Sequence, residues 1–77
     1  MGGRGMINLE RAYKASRLLD RAIREEGNQH RKESLISLLG DLHDCKKAIL
    51  GANSRHHLNV VLPHMLKTIE RELDVHF

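Results

Sequence analysis

Leu35-Ile36-Ser37-Leu38-Leu39-Gly40-Asp41-Leu42-His43-Asp44-Cys45-Lys46-Lys47-Ala48-Ile49-Leu50 is the stretch that decides the fold. At about 100° per residue, Leu35, Leu38, Leu39, Leu42, Cys45, Ile49 and Leu50 share one face, with Ile36 and His43 at its margin. That arc takes in about half the cylinder, against the roughly 100° stripe of an ordinary surface helix. A helix so widely apolar should touch two neighbours, which makes it the central element. Its start falls between Asn28 and Ser34, and its end comes at Leu50, before Gly51-Ala52-Asn53.

Working outward, a first helix is expected from about Asn8 to Glu26, with Asn8 as N-cap, Glu10 in the first turn and Gly27 as the C′ residue. Leu9, Ala12, Leu19 and Ile23 form its stripe, widened by Ala15, Leu18 and Ala22 and bordered by Tyr13. A third is expected over 54–75, capped by Ser54, with Leu58, Leu62, Met65, Ile69 and Leu73 as its seam and Val61 and Leu66 at the flanks. Pro63 removes a backbone donor inside this span. The seam keeps its register across the proline, so a continuous helix kinked near Pro63 is the reading. Short connections between helices of similar length imply antiparallel neighbours. The predicted fold is all-α: an antiparallel three-helix up-down-up bundle formed by a single domain over 8–77 (helices about 8–26, 29–50 and 54–75), with a homodimer as one use of its surface. No period-2 alternation or hairpin dipeptide offers a β alternative.

Residues 1–7 read as a flexible leader, a tag remnant or a start upstream of Met6. Gly2 invites myristoylation, but Met6 stands where that motif needs Ser or Thr. No apolar h-region follows the amino terminus, and no run approaches the roughly 20 residues that span a bilayer. Seventy-seven residues with 40% apolar and 30% charged side chains are too apolar for a wholly disordered chain and too polar for a membrane protein. One cysteine, Cys45, forms no bridge within the chain, which favours the reducing cytoplasm. Stability must then come from helix packing or association.

Chemistry is sparse. None of the six histidines, His30, His43, His56, His57, His64 and His76, is paired with another at helical ligand spacing. Asp41, His43, Asp44 and Cys45 look ligand-rich, yet only Asp41 and Cys45 share a side. Cys45 lies among Leu38, Leu42 and Ile49, the surroundings of a packed thiol and not of a nucleophile. No phosphate loop or nucleophile elbow is present. Neither a metal, a cofactor nor an enzymatic activity is expected. Pro63-His64-Met65-Leu66-Lys67-Thr68 resembles the phosphoacceptor stretch of histidine-kinase dimerisation helices. The likeness covers six residues, and Ile69 stands where that stretch carries proline, so the family is not carried over.

Two surfaces remain as candidate sites. Lys14, Arg17, Arg21 and Arg24 lie within a sector of about 80° opposite the first helix's apolar stripe, a face suited to nucleic acid or an acidic partner. Glu10–Lys14, Asp20–Arg24 and Arg21–Glu25 are i, i+4 pairs that would instead dress a solvated helix. Ile36, Val60 and Phe77 stand at or beyond the edges of a three-helix core and suit a partner or a second copy. Phe77 can equally fold back on the bundle. A cytoplasmic protein–protein interaction or regulatory module, of the adaptor or inhibitor kind found in bacteria and phages, is the leading expectation. Nucleic-acid binding through the basic face is the alternative, and six imidazoles leave room for a pH response.

Overall fold

The computed structural model describes residues 3–77, with side chains from Ile7 onward. Those residues are mostly helical, without a strand: α1 spans Gly3–Glu25, α2 Gln29–Ala52, a π-helical turn His57–Val61, and α3 Leu62–Leu73. The three helical segments pack against one another. α1 packs most extensively on α2. α2 meets the third segment chiefly through the π turn and touches α3 least. Its wide apolar arc does find two neighbours, but α1 finds two as well.

The core is a single cluster built from all three segments. Ala12, Ala15 and Leu19 come from α1, Leu35, Leu42, Cys45 and Ile49 from α2, and Leu62, Leu66 and Ile69 from α3. Small residues on α1 let its backbone approach the leucines of its neighbours. Leu9, Ala22, Ile23, Leu38, Leu39, Leu58, Val61, Met65, Leu73 and Phe77 pack around that centre, partly buried.

Several boundaries differ from expectation for identifiable reasons. α1 begins at Gly3, so Asn8 is an interior residue and not a cap, and Glu10 is not in the first turn. Of the flexible leader expected over residues 1–7, residues 1–2 fall outside the described residues, and residues 3–7 form the first turns of α1. Gly27 does not take positive φ, and the α1–α2 connection is set by Asn28 instead. Asn28 is extended, its side chain accepts from the Arg31 N–H (3.0 Å), and its carbonyl accepts from Lys32 N–H (2.9 Å). α2 continues past Leu50 and Gly51 to Ala52, where Asn53 takes the left-handed conformation (φ 53°) and Ser54 N–H returns to the Ala48 carbonyl at 3.1 Å. Leu50 is thereby 61% exposed, outside the core that its apolar character suggested.

Pro63 explains the π turn. Its ring crowds the carbonyl four residues back, and it has no N–H to donate. Leu62 N–H reaches five residues back to the His57 carbonyl, which adds one residue to the turn. The Leu58 carbonyl then has no backbone donor: Leu62 N–H is engaged, and Pro63 has none. Asn8 Nδ2 donates to it from α1 at 3.5 Å. Beyond the turn the α-helix is regular, and of the two residues that flank the Leu62–Ile69 line it is Leu66 that is buried, while Met65, expected in the seam, is only partly covered. Asp74 (φ 54°) ends α3 in the left-handed conformation that aspartate tolerates, and Val75 N–H caps the Glu70 carbonyl at 3.1 Å.

Arg31 ties one end of the molecule. Its guanidinium meets Glu26 (3.1 Å) and Glu72 (3.4 Å) and donates to the Glu72 carbonyl at 2.6 Å. It joins the α1–α2 connection to the end of α3.

Candidate functional site

The basic face of α1 is thinner in effect than four cations suggest. Lys14, Arg17, Arg21 and Arg24 all lie exposed on the outer side. Arg24 is 2.8 Å from Asp20, and Arg21 is 3.4 Å from Glu25. The expected Glu10–Lys14 pair does not close within 4 Å. Lys14 and Arg17 thus have no carboxylate partner among the described residues, while Arg21 and Arg24 share their charge locally.

Ile36 (49% exposed) and Val60 (56%) do stand on the surface. They are not brought together. Val60 belongs to the π turn, whose His57 carbonyl lies 3.8 Å from Cys45 Sγ, and Ile36 sits two and a half turns before Cys45 along α2. Phe77 folds back: its ring packs on the core, and its N–H donates to Glu70 Oε2 at 3.0 Å. His76 Nδ1 lies 3.5 Å from the same oxygen.

A different surface emerges beside the α1–α2 seam. Lys46 is buried, 8% exposed, with its ammonium 2.8 Å from Ser16 Oγ and 5.0 Å from the centroid of the Tyr13 ring. Ser16 Oγ in turn donates to the Ala12 carbonyl (3.0 Å), leaving a lone pair for the lysine. No carboxylate lies within 4 Å of Lys46 among the described residues. Burial pushes its pKa below the ordinary lysine value, because desolvation penalises the cation. Over this lysine runs a groove of about 770 Å³ lined by Tyr13, His43, Lys46, Lys47, Leu50 and Gly51. Tyr13 is 48% exposed and Leu50 61%. The wheel could have found Lys46, since it lies four residues after Leu42 and three before Ile49, inside the apolar arc. The contact with Ser16, 30 residues away in sequence, has no local signature.

The remaining polar clusters serve the backbone. Ser54 Oγ accepts from His57 N–H (3.3 Å) and lies 2.7 Å from His57 Nδ1, so the serine caps the third segment. Cys45 is buried, and desolvation raises its pKa above the usual thiol value, the opposite of an activated nucleophile. Among the described residues no three His, Cys, Asp or Glu side chains gather as a metal site, and no helix is long and apolar enough to cross a membrane. Comparison with protein-family models, curated proteins and solved structures finds no match. Function therefore has to be argued from the surface itself.

Proposed function

We propose that this protein is a small non-enzymatic protein-binding module, of adaptor or inhibitor type, that recognises its partner through the groove beside the α1–α2 seam. The observation that carries this reading is the pairing of half-exposed Tyr13 and exposed Leu50 across a groove floored by a buried cation. A half-exposed tyrosine is the kind of aromatic anchor in which interface centres are enriched. In this reading the helices run up-down-up with the third bent around Pro63, and the protein works in the reducing cytoplasm, where Cys45 stays a thiol. Ile36 and Val60 offer separate apolar footholds, including for a second copy.

Peptide display on the immobilised protein tests the reading. Enriched sequences should bind the wild type and lose binding to a Tyr13→Ser/Leu50→Ser variant that keeps its helical circular dichroism. Failure to enrich any sequence, or binding indifferent to both substitutions, overturns it. Nucleic-acid binding through α1 is the second reading, favoured by Lys14 and Arg17 standing without carboxylate partners. Sedimentation with mixed nucleic acid at two salt concentrations decides it: co-sedimentation at low salt that fades at high salt, and is lost in Lys14→Glu/Arg17→Glu, supports it. No co-sedimentation at low salt removes it.

A further inference from the structure

We infer that the occupant of the α1–α2 groove is an acidic segment of another protein, carrying at least one large apolar side chain that lies over Tyr13 and Leu50 while its carboxylates meet Lys46, Lys47 and His43. The inference rests on the protein-binding reading and adds the partner's chemistry to it.

The groove's lining decides the sign of the partner's charge. Lys46 and Lys47 are cations, His43 supplies an imidazole, and no carboxylate is among the lining residues. Lys46 makes the case sharper. An ammonium carries three donors, and the contacts around this one are a single hydroxyl at 2.8 Å and an aromatic face. A buried charge without a counter-ion is costly, and a pair restores part of that cost. A carboxylate arriving along the groove would supply the missing opposite charge where water is already partly excluded. Burial by itself already holds the Lys46 pKa below the ordinary lysine value.

The apolar component follows from exposure. Tyr13 and Leu50 flank the cations, so a purely acidic strand would leave their surface wet, and a large side chain between its carboxylates would cover it. Gly51 closes the groove without a wall, since nothing lies within 4 Å of where a Cβ would stand. From His43 to Gly51 the α2 wall extends about 12 Å, two turns at 1.5 Å per residue. That length suits a short segment and not an extended polymer.

Other occupants fit less well. A second copy of this chain carries the same net charge of +3, which opposes its approach to a basic groove; its Asp20, Glu25, Glu26 and Glu72 pair with its own arginines, while among the described residues Glu10, Glu33, Asp41, Asp44 and Asp74 do not. Nucleic acid would find one face of the Tyr13 ring already taken by the Lys46 ammonium, and phosphates are better met at Lys14 and Arg17 on the outer side of α1.

The test uses three synthetic peptides of about 12 residues, about 18 Å as helix and long enough to overspan the groove, titrated into the ¹⁵N-labelled full chain. The first alternates Glu with Leu and Phe at helical spacing, the second replaces its Glu by Lys, and the third keeps Glu but replaces Leu and Phe by Ser. The first should saturate, shifting the amides of Tyr13, His43, Lys47 and Leu50, and its affinity should fall about tenfold or more in Lys47→Glu and in Leu50→Ser, both exposed positions. The second and third should bind at least about tenfold more weakly. Equal or tighter binding of the lysine peptide at the same residues overturns the acidic assignment while leaving the protein-binding reading intact. Equal binding of the serine peptide overturns the apolar component. Saturation of these amides by a short oligonucleotide or by anionic phosphatidylserine vesicles, with the first peptide inert, overturns the inference altogether. Display-selected peptides then still judge the broader reading independently.

Discussion

Lys46 shows how a single residue can set both a stability and a binding property. A methionine of similar length would fill its place without a charge, and Ser16 would keep its bond to the Ala12 carbonyl. Replacing a buried cation that has no counter-ion by an apolar side chain of similar size removes the cost of desolvating its charge. Lys46→Met should therefore raise unfolding stability by about 1 kcal/mol near neutral pH, read from urea denaturation. Its pH dependence has a definite sign. The folded-state pKa of Lys46 is depressed, so the unfolded chain binds more protons between that value and the ordinary one of about 10.4. Wild-type stability gains across this interval as pH rises, and loses again as pH falls back through the folded-state value. Cys45 acts in the opposite sense: burial raises its pKa, so the folded thiol holds its proton while the unfolded one ionises above about 8.5. The stability difference between wild type and Lys46→Met cancels the thiol and should shrink as pH approaches about 10.4. A difference that is flat with pH would show that Lys46 carries no burial penalty.

At the scale of the element, the third helical segment is built around a missing donor. Pro63 leaves the Leu58 carbonyl without a backbone partner, and Asn8 reaches it from a position 50 residues away. Asn8→Ala should cost about 1 kcal/mol by leaving that carbonyl unsatisfied. In a Pro63→Ala background, where residue 63 regains an N–H, the same substitution should cost less, with a coupling of at least about 0.5 kcal/mol in the double-mutant cycle. Additive costs would refute this account of the π turn. A simpler element-level expectation concerns Gly40, helical, exposed and with open space where a Cβ would stand. Gly40→Ala should stabilise by about 0.5–1 kcal/mol in thermal or urea unfolding. These residues also mark how far local rules reach. The three helices were legible because Leu35, Leu42 and Ile49, or Leu62 and Ile69, recur at helical spacing, and nothing distant can alter that period. The ends were not. Asn8 has the chemistry of a cap, but its amide is engaged by a carbonyl far along the chain. Gly51 looks like a terminator, yet Asn53 takes the left-handed position two residues later. Leu66, and not Met65, fills the core, a choice between two neighbours flanking the Leu62–Ile69 line that the pattern alone leaves open.

At the scale of the whole molecule, a radius of gyration of 12.5 Å slightly exceeds the roughly 11.5 Å of a compact chain this long, as helices laid side by side require. The elongated shape leaves a thin core, ten buried apolar residues among those described, with no disulfide to reinforce it. Cores in chains this small rarely supply more than about 3–5 kcal/mol of net stability. The candidate surface was only half legible for the same geometric reason. Ile36 and Val60 were readable as exposed from their own helices, whereas Tyr13 and Leu50 form a groove only once α1 and α2 are docked. That distinction predicts opposite behaviour for two leucines on the same helix. Leu42 is fully buried at the centre of the cluster, and Leu42→Ala should cost about 2–5 kcal/mol, most of the available stability. That variant should be largely unfolded at 25 °C by circular dichroism, with its amide resonances collapsed. Leu50 is 61% exposed, and Leu50→Ser should leave the urea midpoint within about 0.5 kcal/mol of wild type while weakening ligand capture in the groove. If Leu50→Ser unfolds the protein as Leu42→Ala does, Leu50 belongs to the core and the groove loses one wall. If both variants stay folded, the thin core is better reinforced than its ten side chains imply.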